Sequence, residues 1–166
     1  MDKEIMKLMR KAIKNGELNM VKDIVANNHG LLDTITPFGT WLHVASTQGK
    51  SDIVKYLIDN GLDVNQNGDI ADCGAIRSAA SEGHLDIVEL LFQNGAKFDV
   101  SEATKSPLFG AIYGGHYDVV KFLVENGIDI TVRYNTNALK NMDAYEYARE
   151  FGQTKIAEYL KEKLEQ

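Results

Sequence analysis

Apolar residues recur at helical spacing in short, sharply bounded stretches. Over residues 83–95, Leu85, Val88, Leu91 and Phe92 fall on one stripe, Ile87 and Leu90 widen it, and Glu89 and Gln93 face away. The spacing predicts a short amphipathic helix that stops at Asn94-Gly95, because glycine accepts the left-handed conformation that closes a helix. The same pattern stands at 49–61, ending in Asn60-Gly61, and at 115–127, ending in Asn126-Gly127. A weaker version opens at Gly16-Glu17-Leu18-Asn19-Met20-Val21.

The leading glycines Gly16, Gly49, Gly83, Gly115 and Gly152 are separated by 33, 34, 32 and 37 residues. A period of about 33 predicts a turn followed by two antiparallel helices, stacked unit on unit. Thr40-Trp41-Leu42-His43-Val44-Ala45 and Ser106-Pro107-Leu108-Phe109-Gly110-Ala111 stand one repeat element before their glycines. Both are close to Thr-Pro-Leu-His-x-Ala, and with the three Gly-x-x-Asp-(Ile/Val)-Val copies they make the chain resemble the ankyrin repeat family over nearly all its length. The resemblance implies an all-α ankyrin repeat solenoid of about five helix-turn-helix repeats with capping terminal repeats. A single domain over 1–166 is expected, with units at about 2–34, 35–67, 68–100, 101–133 and 134–166. Ser106 is expected to cap a helix with Pro107 at its first position. The longest interval implies an insertion of about four residues near 131–141, and insertions in solenoids go into loops.

Composition narrows the function classes. Hydrophobic content of 44% with 25% charged residues fits a folded, soluble chain. The charged start, Met1-Asp2-Lys3-Glu4-Ile5-Met6-Lys7, has no apolar run behind it, so neither a signal peptide nor a membrane span is expected. One cysteine, Cys73, cannot form an internal disulfide, in keeping with a cytoplasmic setting. Net charge is −6, with Lys/Arg against Asp/Glu at six to four over 1–30, six to fourteen over 31–132 and six to six over 133–166. Phosphate binding needs a basic surface, so nucleic acid is not an expected partner and a basic protein is.

Candidate chemistry is thin. The four histidines are separated, and no His-x-x-x-His or Cys-x-x-Cys pair exists, so neither a metal site nor a cofactor is expected. The resemblance implies that His43, His84 and His116 bond backbone between repeats. Cys73 has no evident orienting partners for nucleophilic work, Gly114-Gly115 lacks the lysine and spacing of a phosphate loop, and Asp69 with Asp72 on an open tip would not have the shifted pKa values that acid/base catalysis requires. No enzyme activity is expected.

A binding surface remains. By the family's register, the concave face would take Phe38, Trp41, Gln48, Asp69, Asp72, Arg77, Glu82, Glu102, Lys105, Phe109, Tyr113, Tyr134, Glu146 and Glu150, with some of these packing between repeats instead. Trp41, where the family has proline, either packs on the first unit or helps bind a partner. The basic face of residues 3–14 is either a solvated cap or a second contact surface. The chain is expected to be a monomer when free and to bind another protein, with a basic toxin domain as the specific candidate. That expectation follows from the resemblance, which is strongest to small bacterial ankyrin-type immunity proteins, and from the acidic middle. The alternatives are a cytoplasmic adaptor or effector linking two proteins, and a stabilising accessory subunit of an enzyme.

Overall fold

The helices follow one another in pairs. In the computed structural model, which describes residues 2–68, 72–135 and 140–166, α1 (Lys3–Asn15) pairs with α2 (Leu18–Ala26), α3 (Trp41–Thr47) with α4 (Ser51–Asp59), and α5 (Ala75–Glu82) with α6 (Leu85–Gln93). Then α7 (Pro107–Gly114) pairs with α8 (Tyr117–Glu125), and α9 (Ala144–Glu150) with α10 (Thr154–Leu164). The described residues contain no strand, only isolated bridges at Thr36–Gly39 and Tyr134–Met142. The molecule is an all-α repeat solenoid.

Local chemistry sets the boundaries. Asp2 caps α1 through the amide of Glu4. Ser106 caps α7 through the amide of Phe109, with Pro107 inside the first turn. Asp143 and Glu146 form a reciprocal capping box on α9. At the far ends of α4, α6 and α8, the side-chain amides of Asn60, Asn94 and Asn126 each donate to the carbonyl four residues back at 2.8 Å. The following Gly61, Gly95 and Gly127 take φ of 92°, 89° and 86°, which turns the chain out of the helix.

The odd-numbered helices pack on one another in one layer and the even-numbered helices in a second. Between the layers runs a continuous apolar strip from Met9 and Ile13 through Leu42, Ile53, Leu57, Ile76, Ile87, Leu91, Leu108, Ile112 and Leu123 to Leu160, all essentially inaccessible. Each such side chain contributes about 1.5–3 kcal/mol on burial, so every unit depends on its neighbours.

Small residues draw the odd-numbered layer tighter. Gly110 on α7 lies against Ser81 on α5, where a Cβ would sit inside van der Waals distance of the Ser81 hydroxyl, and Ala75, Ala79, Ala80 and Ala111 are buried at the same seam. Layers spaced unequally must curve toward the tighter one, so α1, α3, α5, α7 and α9 line the concave side.

Hydrogen bonds one period apart hold the register. His43 Nε2 stands 2.7 Å from the carbonyl of Cys73, His84 Nε2 3.3 Å from that of Thr47 and His116 Nε2 3.0 Å from that of Ser81. These are the inter-repeat backbone bonds that the resemblance implied for the three rings.

Candidate functional site

The concave groove is floored by the odd-numbered helices and rimmed by the turns that precede them. Phe38 projects from the turn closed by the Thr36–Gly39 pairing and is 60% exposed. Tyr113, near the end of α7, is 65% exposed and meets Phe151, which follows α9, edge to face at 5.3 Å. Gln48 is half-buried beside Phe38, while Glu82 and Glu150 are exposed.

Several expected contact residues turn inward. Trp41 is fully buried, and its indole N–H donates to the Leu31 carbonyl at 2.8 Å. It therefore packs on the first unit and offers no ring to a partner. Phe109 is 4% exposed: it stacks on Tyr147 at 4.6 Å and meets Tyr134 edge-on at 4.7 Å. In the histidine slot, this ring replaces the polar bond of His43 with an aromatic cluster. Tyr134 is buried too, its hydroxyl donating to the Val100 carbonyl at 2.8 Å. Tyr147 in turn touches Phe151 at 4.5 Å, so the rings run without a gap from Tyr134 to the exposed Phe151 and Tyr113. Phe151 was absent from the expected set; its spacing of four from Tyr147 along the chain is the signal that could have found it.

The charges sit differently from what the acidic middle suggested. Asp52, Asp59, Asp86, Glu89, Asp118 and Glu125 lie on the even-numbered helices, away from the groove. Asp63, Asp99 and Asp129 serve turns, each accepting a backbone amide two residues on at 2.8 Å. The hydroxyls of Ser101 and Thr131 also bond Asp99 and Asp129, and these bonds hold both carboxyls below their ordinary pKa.

On the groove side Asp72 and Glu102 flank Lys105 at 2.8 and 3.3 Å. The hydrogen bond between Lys105 and Asp72 lowers the carboxyl pKa and raises that of the amine. Glu146 is taken by Arg133, which also pairs with Asp143. Asp69 and the middle of the insertion, residues 136–139, lie outside the described residues. The groove is therefore of mixed charge, with Arg10, Lys14, Arg77 and Arg149 supplied by the odd-numbered helices against Glu82 and Glu150. The excess negative charge is largely on the opposite layer and in turns, a side of the helix that segment-wise counting cannot resolve.

Arg77, in the slot where His43 stands two helices earlier, keeps its Nε buried without a partner among the described residues, as does Arg10. Cys73 is buried, and desolvation pushes its thiol pKa up, the reverse of what a nucleophile needs. His43 is used up structurally, between Thr40 and Cys73.

The residue pattern, the paired helices and the period converge with a comparison against known families: residues 8–102 and 69–134 match the model for ankyrin repeats in three copies. The chain belongs to the ankyrin repeat family. An ankyrin array is a protein-binding module, and no described helix here is long and apolar enough to cross a membrane.

Two curated proteins share part of the array. Over 97 residues the chain is 32% identical to palmitoyltransferase AKR1 of Lachancea kluyveri, an overlap of 55% of this chain and 13% of that protein. Over 90 residues it is 33% identical to protein phosphatase 1 regulatory subunit 27 of Mus musculus, an overlap of 54% of this chain and 58% of that protein. The ankyrin segment thus matches less than two thirds of either relative.

Proposed function

We propose that this ankyrin array is a non-catalytic, cytoplasmic binding subunit that holds another protein along its concave groove. The supporting observation is the uneven placement of exposed aromatics. Phe38, Tyr113 and Phe151 stand on the groove side at 60%, 65% and 43% exposure, whereas the even-numbered layer presents mainly charged side chains. Aromatic rings open to solvent on a mixed-charge face are the usual anchors of a protein interface. The similarity to a phosphatase regulatory subunit supports a partner that is itself an enzyme.

The narrower reading is an immunity protein that covers a toxin made by the same cell. The net charge of −6 would steer a basic partner toward the molecule, but the acids of α4, α6 and α8 give the groove no preference for it, and both similar proteins are eukaryotic and of other kinds. An adaptor is the other narrow form, since Phe38 and the Tyr113–Phe151 pair are separate anchors on different repeats.

Purification from the cells that make this protein, washed in high salt, tests the reading. A one-to-one complex whose partner loses activity when bound supports an inhibitor, and two proteins held at once support an adaptor. Recovery of nucleic acid alone, or of a partner that Phe38→Ala with Tyr113→Ala leaves bound, contradicts the groove.

A further inference from the structure

At the first end of the groove, a cavity of about 420 Å³ opens between α1 and α3, lined by Arg10, Lys14, Phe38, Val44, Thr47 and Gln48. This volume falls within the usual range for binding pockets, about 300–1,000 Å³. The Arg10 guanidinium lies over the Phe38 ring at 4.5 Å from its centroid. Stacking occupies the flat face of a guanidinium and leaves its in-plane N–H donors for an anion.

Among the described residues no hydrogen bond or ion pair takes up the Arg10 guanidinium, whose Nε is buried, or the Lys14 amine, so the outer N–H groups of Arg10 are left for a partner. Arg10 and Lys14 stand one turn apart on α1, where like charges repel. The apolar side of the cavity is Val44, 6% exposed, together with the open face of Phe38. The basic face of the first helix, which the sequence leaves open between a solvated cap and a contact surface, thus includes a built recess.

We infer that this recess receives an acidic segment of the partner protein, a carboxylate on Arg10 and Lys14 with an adjoining aliphatic side chain against Phe38 and Val44. The inference rests on the groove reading above and adds the chemistry of one subsite. Charge complementarity favours it over a basic segment, which would meet two cations, and over a purely apolar one, which would strip water from the Arg10 and Lys14 charges without supplying a counter-charge.

The test uses the full chain and the blocked tripeptides acetyl-Leu-Glu-Leu-amide, acetyl-Leu-Gln-Leu-amide and acetyl-Leu-Lys-Leu-amide, followed by NMR at the Arg10 Nε–H and the amides of Phe38 and Gln48. The glutamate peptide is expected to shift these signals saturably. The glutamine peptide should bind about tenfold more weakly, and the lysine peptide should not bind. Arg10→Gln and Phe38→Ala should each abolish the response while the rest of the spectrum stays native. Equal binding of the glutamate and glutamine peptides overturns the inference. So does an unsaturable drift spread over Lys3, Lys7 and Lys11, or an equal response to acetate alone. A native partner lost on Tyr113→Ala but indifferent to Arg10→Glu overturns this subsite and leaves the groove standing, whereas a partner indifferent to both variants overturns the groove.

Discussion

His43 Nε2 lies 2.7 Å from the carbonyl oxygen of Cys73, one repeat further along the chain. A carbonyl cannot donate, so Nε2 carries the proton, and in the neutral ring Nδ1 is left to accept from the Thr40 hydroxyl at 2.9 Å. Burial pulls the ring's pKa below its ordinary 6.5, against the opposing effect of the Cys73 bond. The unfolded chain therefore binds a proton between the folded pKa and about 6.5 that the folded chain refuses. The contribution of His43 to stability is complete above that window and declines as pH falls through it. Denaturation midpoints at about pH 7.5 and about pH 5.5 should differ more for the unaltered protein than for His43→Gln, and equal differences would show that the ring is not held neutral.

Trp41 and Phe109 separate packing from binding. Trp41→Phe removes the donor to the Leu31 carbonyl and should cost about 1–3 kcal/mol of stability, while Phe109→Ala should cost about 3–5 kcal/mol. Neither should change partner affinity under conditions where the variant remains folded, as measured by calorimetric titration.

Tyr113 should behave in the opposite way. At 65% exposure its removal costs little packing, so Tyr113→Ala should lower the unfolding free energy by less than about 1 kcal/mol. Partner affinity should fall by about 2 kcal/mol or more. A variant that is destabilised but binds normally would place this ring in the fold and not in the site.

Gly110 tests the origin of the curvature. Alanine is the better helix former by about 1 kcal/mol, yet a Cβ at Gly110 would press on the Ser81 hydroxyl. Gly110→Ala alone should destabilise by about 1–3 kcal/mol. With Ser81→Ala, the remaining neighbours would be the Ser81 Cβ at 3.4 Å and the Arg77 carbonyl at 3.6 Å, both ordinary contacts, so stability should return to that of Ser81→Ala alone or exceed it. Failure of the second change to rescue the first would mean that the seam is not set by this contact.

The repeat architecture was legible because it is written in spacing. The Asn-Gly stops, the cap at Ser106 and the slots of His84 and His116 all depend on positions relative to a period. The groove was only partly legible, because register gives a helix face but not the turn of a ring. Trp41 and Tyr134 rotate inward to place an N–H and an O–H on the carbonyls of Leu31 and Val100, and Phe109 follows into the rings around it. Arg10 was hidden for the converse reason. A cation among the lysines of a first helix looks solvated until Phe38, from the next unit, folds under it.

If the reading of the surface is right, the groove, and not the opposite layer, meets the partner. A photoreactive phenylalanine analogue placed singly at Phe38 and Tyr113 in the groove, and at Glu89 and Lys121 on α6 and α8, can be irradiated in the cells that make the protein. One discrete crosslinked protein is expected from Phe38 and Tyr113 and none from Glu89 and Lys121. Crosslinks confined to Glu89 and Lys121 would contradict that reading.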